Sequence, residues 1–194
     1  MKSMKSLSIP ELATIKIPES EVKKGLKRGK NSKEYMHYVN LIVKLLKITL
    51  EENLVSVLLF GSVARGEAGE GSDIDIVVVA KNFEPFGSRF EFFNEIERDL
   101  RTSKEYRNLK EKKLGTLISP IPLTPEEIKR TPPILLDLVT DGVILYDTDN
   151  FMKKQIEYLR NKLEEMSAKK IFLEDGRWYW DLKPNYKLGE VVEI

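Results

Sequence analysis

The sequence contains no cysteine, which excludes disulfides, cysteine-ligated zinc and thiol catalysis together. It has a single histidine, His37, so serine–histidine chemistry and histidine-rich metal sites are not expected; His37 itself reads as a helix-surface or half-buried residue. Any metal must then be held by oxygen ligands, which points to magnesium or manganese. An excess of one charge is missing as well. The 32 Lys+Arg residues nearly cancel the 31 Asp+Glu, leaving a formal charge of +1, so no overall field marks the protein for nucleic acid or an anionic membrane. No segment approaches the roughly 20 apolar residues of a membrane span, and residues 1–8 carry lysines without the apolar stretch of a signal peptide. The expected compartment is the cytoplasm, with no membrane partner.

What is present suits one globular domain with appended segments: 194 residues, 41% hydrophobic and 32% charged. Residues 1–31 read as an N-terminal arm, broken by Pro10 and Pro18 and carrying a basic cluster of Lys23, Lys24, Lys27, Arg28 and Lys30. That cluster suits either contact with phosphate or the solvated face of a short helix. From Ser32 to about Glu52, Tyr35, Val39, Ile42, Leu46 and Leu50 recur at helical spacing. Leu54 to Phe60 is a short apolar run that predicts a buried strand, and Asp73 to Ala80 predicts a second. Ser88 and Glu91 suggest a capping box opening a helix lined by Phe90, Phe93, Ile96 and Leu100. Thr102 to Lys113 is highly charged and expected to be exposed. Leu114 to Leu123 predicts a third strand, confined to an edge or a bulge by Pro120 and Pro122.

Thr124, Pro125 and Glu127 supply cap, first-turn proline and box partner for another helix. After the break at Pro132-Pro133, a short helix is expected to end near Gly142, followed by a strand from Val143 to Tyr146. Asp149 is the expected cap of a helix through Met152, Ile156, Leu159, Leu163 and Met166. Asp175-Gly176 between apolar runs signals a hairpin over Ile171 to Asp181. The alternation predicts an α+β, α/β-like architecture, with a mixed central sheet under packed helices and a C-terminal helix and β-hairpin. The implied division is an arm at 1–31, a main domain at 32–148 and an extension at 149–194.

The chemistry concentrates in Leu58-Leu59-Phe60-Gly61-Ser62-Val63-Ala64-Arg65-Gly66 and Ser72-Asp73-Ile74-Asp75-Ile76. A buried strand ends at Gly61, where a missing side chain lets backbone approach a ligand. Ser62 offers a hydroxyl, and the backbone N–H groups after it can point at phosphate oxygens. Arg65, one turn on, is placed to meet a phosphate. Alternate residues of a strand share a face, so Asp73 and Asp75 should project together, with α-carbons about 6.6 Å apart. Ile74 and Ile76 should face the core. Such a pair can share metal ions about 3.5–4 Å apart, the spacing used for in-line phosphoryl displacement. Two close carboxylates repel in low dielectric, and a divalent cation is the economical resolution.

Gly61, Ser62, Arg65, Gly66, Ser72, Asp73 and Asp75 together resemble the signature of the DNA polymerase beta superfamily of nucleotidyltransferases, with small stand-alone prokaryotic and archaeal members nearest in character. The resemblance implies that superfamily's fold over about 32–148. It also implies an NTP, usually ATP, bound through Gly61, Ser62, Arg65 and Ser72, with magnesium or manganese on Asp73 and Asp75. A hydroxyl on a protein, an RNA or a small molecule would attack the α-phosphorus and release pyrophosphate. Members of this superfamily usually add a third carboxylate from a neighbouring strand. The strand here at 114–123 has only Thr116 and Ser119 as side-chain oxygens, with Glu111 upstream and Glu126 and Asp137 downstream. That departure motivates an alternative: a nucleotide-binding regulatory module acting with a partner protein, as in antitoxins built on minimal nucleotidyltransferases. A third reading pairs the basic segment at 23–30 with Trp178, Tyr179 and Trp180 for single-stranded nucleic acid, although three such aromatics also suit hairpin packing.

Overall fold

The structure is a computed structural model that describes residues 29–83, 86–175, 177–187 and 190–191. Lys23, Lys24, Lys27 and Arg28 of the basic cluster, and Gly176 of the hairpin signal, lie outside the described residues.

Helix α1 (Ser32–Leu50) buries Tyr35, Tyr38, Val39, Ile42, Leu45 and Leu46, so the helical spacing of its apolar residues sets which face meets the core. A 3-10 turn over Glu51–Asn53 leads into β1 (Leu54–Leu59). Every residue of β1 is buried, as expected for a strand covered on both faces. The five-residue helix α2 (Gly61–Arg65) follows, and β2 (Ile74–Ala80) begins one residue later than the sequence suggests.

Helix α3 (Phe86–Leu100) starts directly after Pro85, so Ser88 lies inside its first turn rather than at the cap. The charged stretch after it is not a loop. It forms helix α4 (Lys104–Glu111), capped by the Ser103 hydroxyl, which accepts from the Tyr106 N–H at 3.0 Å. Leu109 anchors this helix in the core. The signal was present in Ser103 three residues before Tyr106, but its abundant charge concealed it.

Strand β3 (Ile118–Leu123) is parallel to β2 and forms one edge of a four-stranded sheet ordered β3-β2-β1-β4. Its prolines fall in the right places. The Ile74 N–H donates to the Leu117 carbonyl at 2.8 Å, and in a parallel pair this parity sends the even residues of β3 outward. Pro120 and Pro122 therefore lack N–H groups only on the open side, and the remaining outward donor, Ile118 N–H, is taken by Glu97 Oε1 at 2.9 Å. Arg89 donates to the outward carbonyl of Pro122 at 3.2 Å. The edge is thereby blunted.

Helix α5 (Pro125–Ile128) has the expected capping box between Thr124 and Glu127. Helix α6 (Ile134–Asp141) stops at Gly142, where a side chain would collide with the Leu138 carbonyl. Strand β4 (Val143–Asp147) pairs antiparallel with β1. In α7 (Phe151–Glu165) the cap differs from expectation. Asp147, not Asp149, accepts from the Met152 and Lys153 N–H groups, at 2.9 and 3.0 Å. Asp149 and the N-cap residue Asn150 both have left-handed backbones, at φ 55°, and it is the Asp147 carboxylate that reaches the first free N–H groups of the helix. The hairpin forms as β5 (Lys169–Phe172) against β6 (Trp178–Asp181).

Two apolar cores sandwich the sheet. Ile74, Ile76 and Val78 meet α1, α3 and α4 on one face. Val77 and Val79 meet α5, α6 and α7 on the other. Among the described residues no helix is long and apolar enough to cross a membrane.

Candidate active site

The site lies where β1 and β2 end and begin side by side. Gly61 opens α2 at φ 70°, a left-handed conformation that a side chain disfavours. A methyl group there would overlap the Asp75 carboxylate, so glycine is what lets the turn close onto Asp75. The closure is fixed from the backbone too, because the Phe60 N–H donates to the Asp75 carbonyl at 3.0 Å. Gly66 ends α2 in the left-handed region, and the Glu67 N–H caps the Ser62 carbonyl at 2.9 Å.

The loop between α2 and β2 is pinned rather than free. The Gly69 N–H donates to Ser72 Oγ at 3.0 Å, Asn31 donates to the Ala68 carbonyl at 3.3 Å, and the Tyr35 hydroxyl donates to the Gly69 carbonyl at 3.4 Å. Gly115, just before β3, packs so closely against the Ser72 carbonyl that no other residue would fit there. Ser72 thus shapes the loop that delivers Asp73 by accepting one hydrogen bond, with its own O–H left to donate.

Asp73 is exposed and Asp75 half-buried, while Ile74 and Ile76 between and beyond them are wholly buried. Alternation along the strand puts Asp75 on the face shared with Val77, and Asp73 lies one residue before the strand. Burial pushes the Asp75 carboxyl above the ordinary carboxylate range, and the charge of Asp73 adds to the rise; a hydrogen bond from Ser119 and the charge of Arg65 oppose it. Ser119 is the direct β-partner of Asp75 on β3. It occupies the neighbouring-strand position from which the superfamily resemblance implies a third carboxylate. Glu111 closes α4 and is exposed, Glu126 is exposed on α5, and Asp137 sits on α6.

Among the described residues no three carboxylates or imidazoles gather as a metal cluster. The two aspartates and the Ser119 hydroxyl still form an oxygen-only donor set, and Asp75 carries a carboxylate whose charge is poorly compensated by the protein. That suits magnesium or manganese, which bind through one or two carboxylates and complete their shell with water and substrate phosphates.

Arg65 stands at the end of α2, half-exposed. Its Nε donates to Glu67 at 2.8 Å, and a terminal nitrogen lies 3.8 Å from Asp141. Beside Asp137, which the sequence marked only as a carboxylate downstream of the third strand, the structure adds Asp141 and Lys170, which sequence reasoning passed over. Asp137 and Asp141, four apart on α6, face Arg65 together with Lys170 from β5, whose Nζ is 3.5 Å from Asp141 and 3.1 Å from the Thr140 hydroxyl. Burial and the charge of Asp141 raise the Asp137 carboxyl, against the pull of Lys170 and Arg65, and its buried Oδ1 has no hydrogen-bond partner. The i, i+4 spacing of the two aspartates was visible in the sequence; the approach of Lys170, about 30 residues further on, was not.

A profile for the nucleotidyltransferase domain matches residues 42–190, spanning the glycine turn, both aspartates and the hairpin. The chain belongs to that family. As a nucleotidyltransferase it is also 34% identical, over 128 residues, to a Methanocaldococcus jannaschii protein named provisionally as a protein adenylyltransferase; the match covers 65% of this chain and 80% of that one. Solved structures align more distantly. A toxin–antitoxin structure with AMP-PNP shares 22% identity over 71% of this chain and 93% of that chain, with a TM-score of 0.40. A Sulfolobus solfataricus structure, also described provisionally as a nucleotidyltransferase, shares 23% over 64% and 95%, with a TM-score of 0.39. Superpositions of that quality carry no inference about chemistry; the family assignment rests on the profile and the curated relative.

Proposed function

We propose that this nucleotidyltransferase transfers AMP from ATP to a hydroxyl acceptor, with magnesium or manganese held by Asp73 and Asp75. One observation supports the reading: a glycine turn closes onto the Asp75 carboxylate, and Asp73, one residue before β2, is near enough for its charge to raise the Asp75 carboxyl. Gly61 and Ser62 would receive the triphosphate, Arg65 would exchange its acidic partners for a phosphate, and Ser72 would hold the loop carrying Asp73. The acceptor oxygen bonds to the α-phosphorus, the bond from that phosphorus to the bridging oxygen breaks, pyrophosphate leaves with the electron pair, and the hydroxyl proton passes to water. A bound divalent cation would neutralise charge developing on the phosphoryl oxygens. Ser119, by hydrogen bonding, would fix the rotamer of Asp75.

The catalytic unit would be 32–148, with 149–194 bracing it through Lys170 on α6, and the protein would work in the cytoplasm. Incubation with α-labelled ATP, metal and a cell extract tests the reading. Label transferred by the wild type and lost with Asp73→Asn supports it, and identical behaviour of the two proteins overturns it. The presence of Ser119 in place of a carboxylate favours one second reading: a nucleotide-binding module regulated with a partner protein. Metal-dependent ATP binding without pyrophosphate release would favour that alternative.

A further inference from the structure

Helix α6 closes on an aspartate, Asp141, where the helix dipole is negative and an acidic side chain is disfavoured. Asp137 lies one turn earlier on the same face, and its buried Oδ1 has no hydrogen-bond partner. Two cations from distant parts of the chain converge on this pair: Arg65 at the end of α2 and Lys170 on β5. They are held differently. The Arg65 side chain is 35% exposed, stands 3.8 Å from Asp141 and turns its Nε to the exposed Glu67. The Lys170 side chain is 12% exposed. Its Nζ is 3.5 Å from Asp141, donates to the Thr140 hydroxyl at 3.1 Å and lies 4.0 Å from the centre of the Trp178 ring.

Lys170 is therefore fixed by a carboxylate, a hydroxyl and an aromatic face, and could follow a ligand only by giving up all three. Arg65 would leave only partly exposed ion pairs, and its planar guanidinium suits phosphate oxygens. An Arg65 that engages a phosphate has left Asp141. The cost of that departure depends on which charge stays behind. With Lys170 in place, Asp141 keeps a cation against the helix end, and the positive charge of Lys170 also weakens the pull of the same carboxylate on Arg65. Without Lys170, the half-buried acidic pair would be stripped of both cations as Arg65 turned away, so it would hold the arginine back.

We propose that Lys170 is a positioning residue for nucleotide binding: by occupying Asp141 it releases Arg65 to the triphosphate, so the docked C-terminal hairpin sets how tightly the site takes its nucleotide. The inference rests on the phosphate-binding role of Arg65 in the function proposed above, and its test reads binding rather than turnover. It gives the hairpin a part in the chemistry that bracing alone would not, because the effect must pass through Asp141 and Arg65.

Affinity of the full chain for a non-hydrolysable ATP analogue with magnesium is measured by calorimetry. Arg65→Ala should weaken it about tenfold, as for a lost charged hydrogen bond. Lys170→Met should weaken it about three- to fivefold, and Asp141→Asn should strengthen it by a similar factor, the upper range for a partly exposed ion pair. With Asp141→Asn already present, Lys170→Met should cost little further affinity. A hairpin that acted only as a brace would give the same loss in both backgrounds. Lys169→Met removes the same charge from the exposed neighbouring position on β5, which faces the other way, and should leave affinity as it was. Unchanged binding by Lys170→Met, an equal loss with and without Asp141, or an equal loss from Lys169→Met would overturn the proposal while the transfer reading stands. Unchanged binding by Arg65→Ala would overturn it too, since Lys170 would have no phosphate ligand to release. A wild type that binds no analogue would instead strike the transfer reading itself, and the proposal with it.

Discussion

On one face of β2, Ile74, Ile76 and Val78 are fully buried beneath α1 and α3; on the other, Asp75 is half-buried before Val77 and Val79 close the layer again, and Asp73, one residue before the strand, is exposed. The same strand is thus sealed from its first residue on one side and only from its fourth on the other. The difference arises in the covering layers. The buried faces of α1, α3 and α4 share a core with Ile74 and Ile76, whereas on the other face the core with α5, α6 and α7 takes in β2 only from Val77. Carboxylates can be tolerated only at the uncovered corner, and the glycine turn is built against that corner. Stability and chemistry are therefore separated by a single step along the chain.

The largest test of that separation is Asp75→Asn. Transfer should fall by a factor on the order of 10²–10³, comparable to loss of a major transition-state contact, and added metal should not restore it. Stability should rise at neutral pH, because burial and Asp73 disfavour the charged carboxylate. Its immediate neighbour should do the reverse in kind. Ile76→Ala should cost about 2–5 kcal/mol in urea unfolding, and any activity lost should follow the fraction unfolded.

Two glycines sharpen the contrast further. Gly61 and Gly66 both have left-handed backbones, at φ 70° and 73°, so alanine at either should cost about 1–2 kcal/mol. Only Gly61→Ala should also impair transfer beyond its loss of stability, since its methyl would displace Asp75; equal specific activity in the two folded variants would contradict the assigned closeness. The smallest effect concerns the second face away from β2. Asp137→Asn should raise Tm by about 1–3 °C at pH 7, read by calorimetry. The sign follows from the raised folded carboxyl: the charged form is penalised in the folded state, so the difference should vanish below the ordinary carboxylate value of about 3.9, grow as pH rises from there toward the folded value, and level off above it.

Much of this was legible without coordinates, for identifiable reasons. The alternation of Asp73, Ile74, Asp75 and Ile76 fixes which side chains share a face because a strand has period two. Thr124, Pro125 and Glu127 fix a helix start because their bonds are local. Helix α4 was concealed because Leu109 is the only one of its residues classed as buried, leaving little apolar periodicity to read. The cap of α7 was misassigned because both aspartates precede that helix, and only the fold of the intervening 3-10 turn brings the Asp147 carboxylate to the Met152 and Lys153 N–H groups. Lys170 could not be placed beside Asp141, nor Ser119 beside Asp75, because strand register and hairpin docking depend on contacts between distant segments. The family signature marked the two aspartates; the polar groups surrounding them required the fold.

Strand β3 carries a further implication through its prolines. With Pro120 and Pro122 outward and Ile118 already bonded to Glu97, the border of the sheet nearest Asp75 has no main-chain donors to offer a visiting polypeptide. A visiting polypeptide finds no ladder of donors along this border on which to lie as an additional ribbon. If Asp73 and Asp75 hold the proposed metal, choice of acceptor would fall to side chains rather than to main-chain pairing along β3.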